Sequence, residues 1–210
     1  MEQPGNTSLS RIAIFYDGNY FAEVSNYYRF QHERQARIDL RGLHNFVRYE
    51  VAQREKKDEH SCQIVEAHYF RGRFSADAAL QKNSLEADRR FDDVLIRAGI
   101  VQHYYPMDER GARPQEKGID VWLALEAYDL AVHKRFDVLA LVACDGDYVP
   151  LVRKLNGIGT RVMLLAWDFK YSYNGRDKET RTAQTLISEC SYPIMMHDEI
   201  DSRSRKNDAV

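Results

Sequence analysis

Apolar residues fall into two patterns along the chain. Some form short continuous runs. Others recur every three or four residues, as on one face of a helix. Arg11–Tyr16 (R-I-A-I-F-Y) and Val138–Ala143 are runs of the first kind, and Cys62–Phe70 and Thr160–Ala166 also read as strands. Near-continuous apolar runs bounded by turns read as strands buried on both faces, as in a parallel sheet. Ile100–Tyr105 adds a shorter strand, and Tyr192–Met196 a final edge strand. Between the runs lie helical repeats. Leu40, Leu43, Phe46, Val47 and Val51 share a face after Asp39, a suitable cap. Ala76–Ala98 predicts one long amphipathic helix, with Gly99 as its C-cap. The helix opened by Lys117-Gly118-Ile119-Asp120 is apolar almost all round and is expected to be largely buried. Thr182–Cys190 predicts a short helix. Strands alternating with helices imply βαβ units, hence an α/β fold with a mainly parallel sheet.

Two of the buried strands end in acids. Arg11–Tyr16 runs into Asp17-Gly18-Asn19, and Val138–Ala143 into Cys144-Asp145-Gly146-Asp147. Gly18 allows a sharp turn there, and Asn19 is a plausible cap for a helix starting near Tyr20. Open α/β sheets bind ligands outside the carboxyl ends of their strands, where the strand order reverses. If these strands are neighbours at that point, three carboxylates converge on one crevice, and Asp120 can join them from its helix. Like charges that cluster need a cation or a shared proton. All-oxygen ligands favour Mg²⁺ or Mn²⁺ over zinc, and such ions suit phosphoryl chemistry. Plainer readings stand beside this. Asp147 can cap the helix that follows it. Asp17 and Asp145 can be solvated strand ends, and Asp120 can complement a helix dipole. Glu126 and Asp129 point away from Asp120 at about 100° per residue.

Charge changes the picture little. The 210 residues carry a net charge of −2, so a nucleic-acid partner must meet a local basic patch. With 44% hydrophobic and 30% charged residues, the composition is that of a soluble globular domain. Residues 1–10 read as a flexible leader, 11–200 as one domain, and 201–210 as a disordered tail. No apolar run spans a bilayer. The three cysteines lie far apart, which fits a reducing cytoplasm better than a disulfide framework. No Walker loop, G-x-S-x-G or G-x-G-x-x-G is present. Two stretches can meet a substrate. Trp167, Phe169, Tyr171 and Tyr173 alternate among basic residues, either as stacking groups or as a hairpin turning at Asn174-Gly175. Arg71, Arg73, Arg110, Arg113 and Lys117 follow strands at the carboxyl edge. Lys117 can reach a substrate phosphate or pair with an acid.

Three motifs carry a resemblance. D-G-N after the first strand, K-G-I-D-V-W-L-A-L-E opening a helix, and A-C-D-G-D-Y-V-P-L-V after the fourth strand resemble the NYN domain family, and most closely its LabA-like branch. The resemblance implies a Rossmann-like three-layer α/β/α sandwich, PIN-like, with metal-dependent RNA cleavage. It implies Asp17, Asp120, Asp145 and Asp147 as catalytic and metal-holding acids for Mg²⁺ or Mn²⁺. Asn19 and Lys117 match its accompanying polar positions, and Arg113 and Trp167 join them as expected substrate contacts. Cys144 stands where the family usually has Ser, Glu126 where Asp is usual, and Tyr148 where Phe is usual. The expected activity is hydrolysis of RNA phosphodiesters; the alternative is a non-catalytic RNA-binding or regulatory module on the same fold. RNA is the expected partner, a membrane is not, and a homo-oligomer is left open.

Overall fold

The computed structural model describes residues 8–108, 117–173 and 176–204. In chain order the elements are β1 (Ser10–Asp17), α1 (Gly18–Phe30), α2 (Leu40–Glu55), β2 (Cys62–Arg73), α3 (Ala76–Gln81), α4 (Leu85–Arg97), β3 (Val101–Pro106) and α5 (Ile119–Lys134). Then follow β4 (Val138–Val142), α6 (Val149–Gly157), β5 (Arg161–Ala166), β6 (Phe169–Tyr173), β7 (Arg176–Thr180), α7 (Gln184–Glu189), β8 (Tyr192–Met195) and α8 (Met196–Ser204). Six strands form one sheet in the order β3-β2-β1-β4-β5-β8, and every neighbouring pair is parallel. Strand order reverses between β1 and β4, so the two acid-ending strands lie side by side.

The continuous runs are buried on both faces because helices cover both. Ile12, Ile14 and Tyr16 pack with residues of α1, α2 and α4; Ala13 and Phe15 pack with residues of α5 and α6. Val138, Ala140 and Val142 continue the first core, and Leu139 and Leu141 the second. The period-two alternation of a strand thus feeds two separate cores, giving a three-layer α/β/α sandwich.

Several local expectations change. Ala76–Ala98 is two helices rather than one, broken where Asn83 takes a left-handed φ of 55°. Asn tolerates that conformation better than most side chains. β2 continues through Arg71-Gly72-Arg73, paired with Tyr104–Pro106 of β3. α5 is not buried all round: Val121, Leu125 and Val132 are 57%, 66% and 44% exposed, because only its opposite side meets the sheet. Ser10 is a buried residue of β1 rather than part of a leader, and the chain is helical to Ser204. The aromatic stretch after β5 is a hairpin, β6 against β7, separate from the main sheet. Phe169 stacks on Tyr27 at 4.7 Å between ring centroids.

Gly18 has a steric rather than a conformational role. A Cβ there would lie 2.4 Å from the Phe70 carbonyl oxygen and 2.7 Å from the Tyr69 ring. The close approach lets the Tyr69 hydroxyl donate to the Gly18 carbonyl at 2.8 Å. Gly18→Ala is therefore expected to lower unfolding free energy by about 1–3 kcal/mol, as overpacking does, read as a shift in urea midpoint.

Under α5 lies a histidine pair, His68 buried and His103 half-buried. His68 Nδ1 and His103 Nε2 are 2.9 Å apart, and His68 Nε2 lies 3.0 Å from Glu66. Glu66 pairs with Lys134. His103 stacks on Phe70 at 4.1 Å and meets Trp122 edge-on. Burial, and then the neighbouring His68, lower the His103 pKa to about 4. Burial lowers His68 as well, opposed by Glu66. The unfolded chain, with His near 6.5, then binds more protons than the folded one below that pH. Stability should hold above pH 6.5 and fall as pH drops toward 4. Urea midpoints across pH 8 to 5 test this, and His103→Phe is expected to make the fall shallower.

Candidate active site

The site begins with β1. Its last residue, Asp17, is half-buried and caps α1, accepting from the Tyr20 N–H at 3.1 Å. Asp17, not Asn19, is therefore the cap; Asn19 is exposed within the first turn. The other Asp17 oxygen accepts from the Tyr148 hydroxyl at 3.1 Å. Tyr148 lies in the tight turn Gly146–Tyr148 that follows β4, so one carboxylate joins β1, α1 and the β4 turn.

Asp145 caps that turn, accepting from the Asp147 N–H at 3.0 Å. Asp147 is exposed one step further on. Asp120 is exposed in the first turn of α5, after Gly118 takes a left-handed φ of 78° to start the helix. Tyr148 is where these elements meet. Its hydroxyl is held well above the ordinary tyrosine range, first by burial, then by the charge and hydrogen bond of Asp17, then by Asp120 and Asp145. The charges of three acids from three separate elements thus act on one phenol, which touches Asp17.

Cys144 sits beside them. Burial pushes its thiol up to about 12, with further contributions from Asp17, Asp145, Glu23 and Asp168. Glu23 and Asp168 add to the acidic edge. Asp168 comes just after β5 as Asp17 ends β1, so the same strand-end pattern that marked Asp17 could have marked it. Its carboxylate accepts from the Thr182 N–H and hydroxyl at 2.8 and 2.7 Å, which ties the end of β5 to the chain entering α7. Nothing in the sequence pattern singled out Tyr148 as an organiser.

The expected substrate contacts fare differently. Lys117 is 67% exposed, with its ammonium 3.6 Å from Asp108. Arg113 lies outside the described residues. Trp167 is completely buried, its ring against Tyr20 and its backbone N–H and carbonyl both bonded to the Tyr20 hydroxyl. The sheet and α1 enclose it, so it offers no face for a base to stack on. Glu126 is half-exposed and acts on His68 from the far side of α5, away from the acids.

The donor chemistry suits a hard divalent ion, because every candidate ligand is a carboxylate oxygen and three of the four acids are exposed. Among the described residues, however, no three His, Cys, Asp or Glu side chains are drawn together as a ligand cluster. Asp17 and Asp145 are turned instead toward the N–H groups they cap.

A parallel three-layer α/β sandwich with acids on both sides of its switch point is a PIN-like domain. The chain belongs to the NYN domain family, which it matches over residues 11–208. NYN domains are generally assigned as nucleases acting on RNA. A solved structure with the same fold is that of VPA0982, a protein of unknown function from Vibrio parahaemolyticus RIMD 2210633. It is 21% identical, covers 94% of this chain and 98% of its own, and superposes with a TM-score of 0.57. No curated protein matches the chain. Among the described residues no helix is long and apolar enough to cross a membrane.

The Cys144 thiol gives this edge a chemical signature. A thiol with a pKa near 12 is almost wholly protonated at pH 8, and only the thiolate is nucleophilic. Iodoacetamide is expected to leave Cys144 unmodified in the native protein at pH 8 and to label it in urea, as read by peptide mass.

Proposed function

We propose that the protein is a metal-dependent ribonuclease of the LabA-like kind, hydrolysing RNA phosphodiesters at Asp17, Asp120, Asp145 and Asp147. The observation that supports this reading is that Asp17, Asp120 and Asp145, at the carboxyl edge of the sheet, all act on the Tyr148 hydroxyl, which donates to Asp17. Asp17, Asp145 and Asp147 would hold Mg²⁺ or Mn²⁺, directly or through water. A bound ion of this kind lowers the pKa of its water and stabilises charge on the phosphoryl oxygens. Asp120, exposed at the start of α5, orients the attacking water and accepts its proton. Tyr148 holds the Asp17 carboxylate in place through its hydroxyl. Lys117 reaches the phosphate by exchanging its contact with Asp108, joined by Arg113, and Asn19 supplies a neutral donor beside Asp17. Cys144 carries no role in proton transfer, because its thiol stays protonated.

A second reading has its own observation. Asp17 and Asp145 serve as caps, and no three acids form a ligand cluster among the described residues. Both facts suit an RNA-binding or regulatory module without turnover. The two readings separate in one experiment. Wild type, Asp17→Asn and Asp147→Asn are incubated with single-stranded and structured RNA across a Mg²⁺ and Mn²⁺ series. The nuclease reading expects cleavage by wild type, its loss in EDTA, and a fall of at least ~10²-fold in both variants, the scale on which a single catalytic group acts. Tight binding with no cleavage under either ion would favour the module.

A further inference from the structure

β2 and β3 run on past the point where β1 ends. Asp17 pairs with Phe70, whereas Arg71–Arg73 extend beyond it against Tyr104–Pro106. The two strands thus form a wall beside the acidic edge. Tyr69, Arg71 and Arg73 alternate onto the side that α1 and α4 cover.

Arg71 is half-buried there, and its side chain makes no hydrogen bond or ion pair with any other described residue. Desolvating a guanidinium without a partner is unfavourable. A phosphate answers both its charge and its planar donor fork. Arg73 is the contrast. It pairs with Asp92 at 2.7 Å and lies 4.2 Å over the Tyr104 ring, so it is already satisfied.

Three cavities adjoin along this wall. The central one is lined by Asn19, Arg71, Phe74, Tyr104 and Met107. It shares Arg71, Asp88 and Phe91 with a second cavity that holds Arg37 and Arg90. It shares Arg73, Phe74, Tyr104 and Met107 with a third that reaches Tyr105 and Lys117. The result is a continuous groove from Arg37, past Asn19, to Lys117.

Its lining carries Arg37, Arg71, Arg73, Arg90 and Lys117 against Asp88, Asp92 and Asp108, so it is locally positive in a chain of net charge −2. Aromatic faces stand beside these cations. Phe74 is half-buried with the Lys82 ammonium 4.7 Å from its ring centre, and Tyr105 is 47% exposed. Cations that track a backbone, interleaved with aromatics that stack bases, are how single strands are bound without sequence preference.

We propose that this groove is the track for a single-stranded stretch of RNA, with Arg71 holding a phosphate and Phe74 and Tyr105 stacking bases. The proposal rests on reading the acidic edge as the site of cleavage, which the groove adjoins at Asn19. A duplex is excluded as the main occupant, because its bases are stacked on one another and unavailable to Phe74.

The test is binding of a fluorescein-labelled single-stranded RNA of about 12 nucleotides, followed by anisotropy in EDTA across a KCl series. Cleavage that depends on a metal is silent under those conditions. Arg71→Ala is expected to weaken binding about tenfold and to reduce the salt slope by about one. Phe74→Ala is expected to weaken it about tenfold with the slope unchanged. Arg71→Lys should restore most of the salt slope, and Lys154→Ala, on α6 away from the groove, should bind like wild type. Circular dichroism and thermal melting verify that the variants fold; if Arg71→Ala does not, Arg71→Lys and Phe74→Ala carry the test.

Wild-type affinity in folded Arg71→Ala and Phe74→Ala would overturn the proposal. So would failure of the wild type to bind the oligonucleotide, or tighter binding of a duplex. The cleavage reading fails separately. Groove-dependent binding with no turnover in Mn²⁺ would remove the nuclease and keep the groove. Turnover unaffected by both variants would do the reverse.

Discussion

The Asp17 carboxylate is the junction on which this molecule depends. One oxygen satisfies a free N–H at the start of α1, and the other takes the hydroxyl of Tyr148 from the turn after β4. β1 lies at the centre of the sheet with β2 on one side and β4 on the other. A single side chain therefore fixes how the first helix leaves the sheet and how the β4 turn sits against it. Both bonds are donated to the carboxylate, one to each oxygen. A cap and a metal ligand want the same thing from an aspartate, namely an oriented oxygen pair. The capped arrangement and a ligating one are alternative uses of the same atoms.

Around that junction the carboxyl edge divides by charge. Acids stand over β1 and β4, where Asp17, Asp145 and Asp147 follow the strands and Asp120 faces them from α5. Cations stand over the extended ends of β2 and β3, where Arg71 and Arg73 leave the sheet. The near-zero net charge of the chain conceals this separation. On the proposed reading, the two halves answer two needs of phosphodiester chemistry: a place for a divalent ion, and a place where the polyanion can lie.

Much of this was legible in the sequence. Runs such as R-I-A-I-F-Y and V-L-A-L-V gave buried parallel strands because only a sheet covered on both faces can hide every side chain in a row. Acids directly after two such runs lie side by side at the carboxyl edge of the sheet. The same rule, applied to T-R-V-M-L-L-A-W-D, would have found Asp168. Other features depended on neighbours that no local pattern contains. Ala76–Ala98 has the periodicity of one helix, yet the backbone turns at Asn83. The Trp167 ring reads as a stacking group until Tyr20 and the sheet are seen to enclose it. Gly18 looks like a turn residue, but its backbone φ is unexceptional and what it supplies is room for Phe70 and Tyr69.

By itself, then, the sequence determined the alternation of buried strands with helices, hence a mainly parallel sheet, and the acids that end two of those strands. Each follows from periodicity and from the chemistry of side chains near in the chain, whereas the three layers came from the resemblance, and that the two strands are neighbours came from the structure. The tertiary structure decided how those acids are used. It turned Asp17 and Asp145 onto caps, brought the Tyr148 phenol onto Asp17 within the field of Asp120 and Asp145, and left the Arg71 side chain half-buried in a groove without a partner among the described residues. Those outcomes depend on distances between residues more than a hundred positions apart, such as Asp17 and Tyr148. Burial and charge act across such distances only once the sheet has brought the strands together.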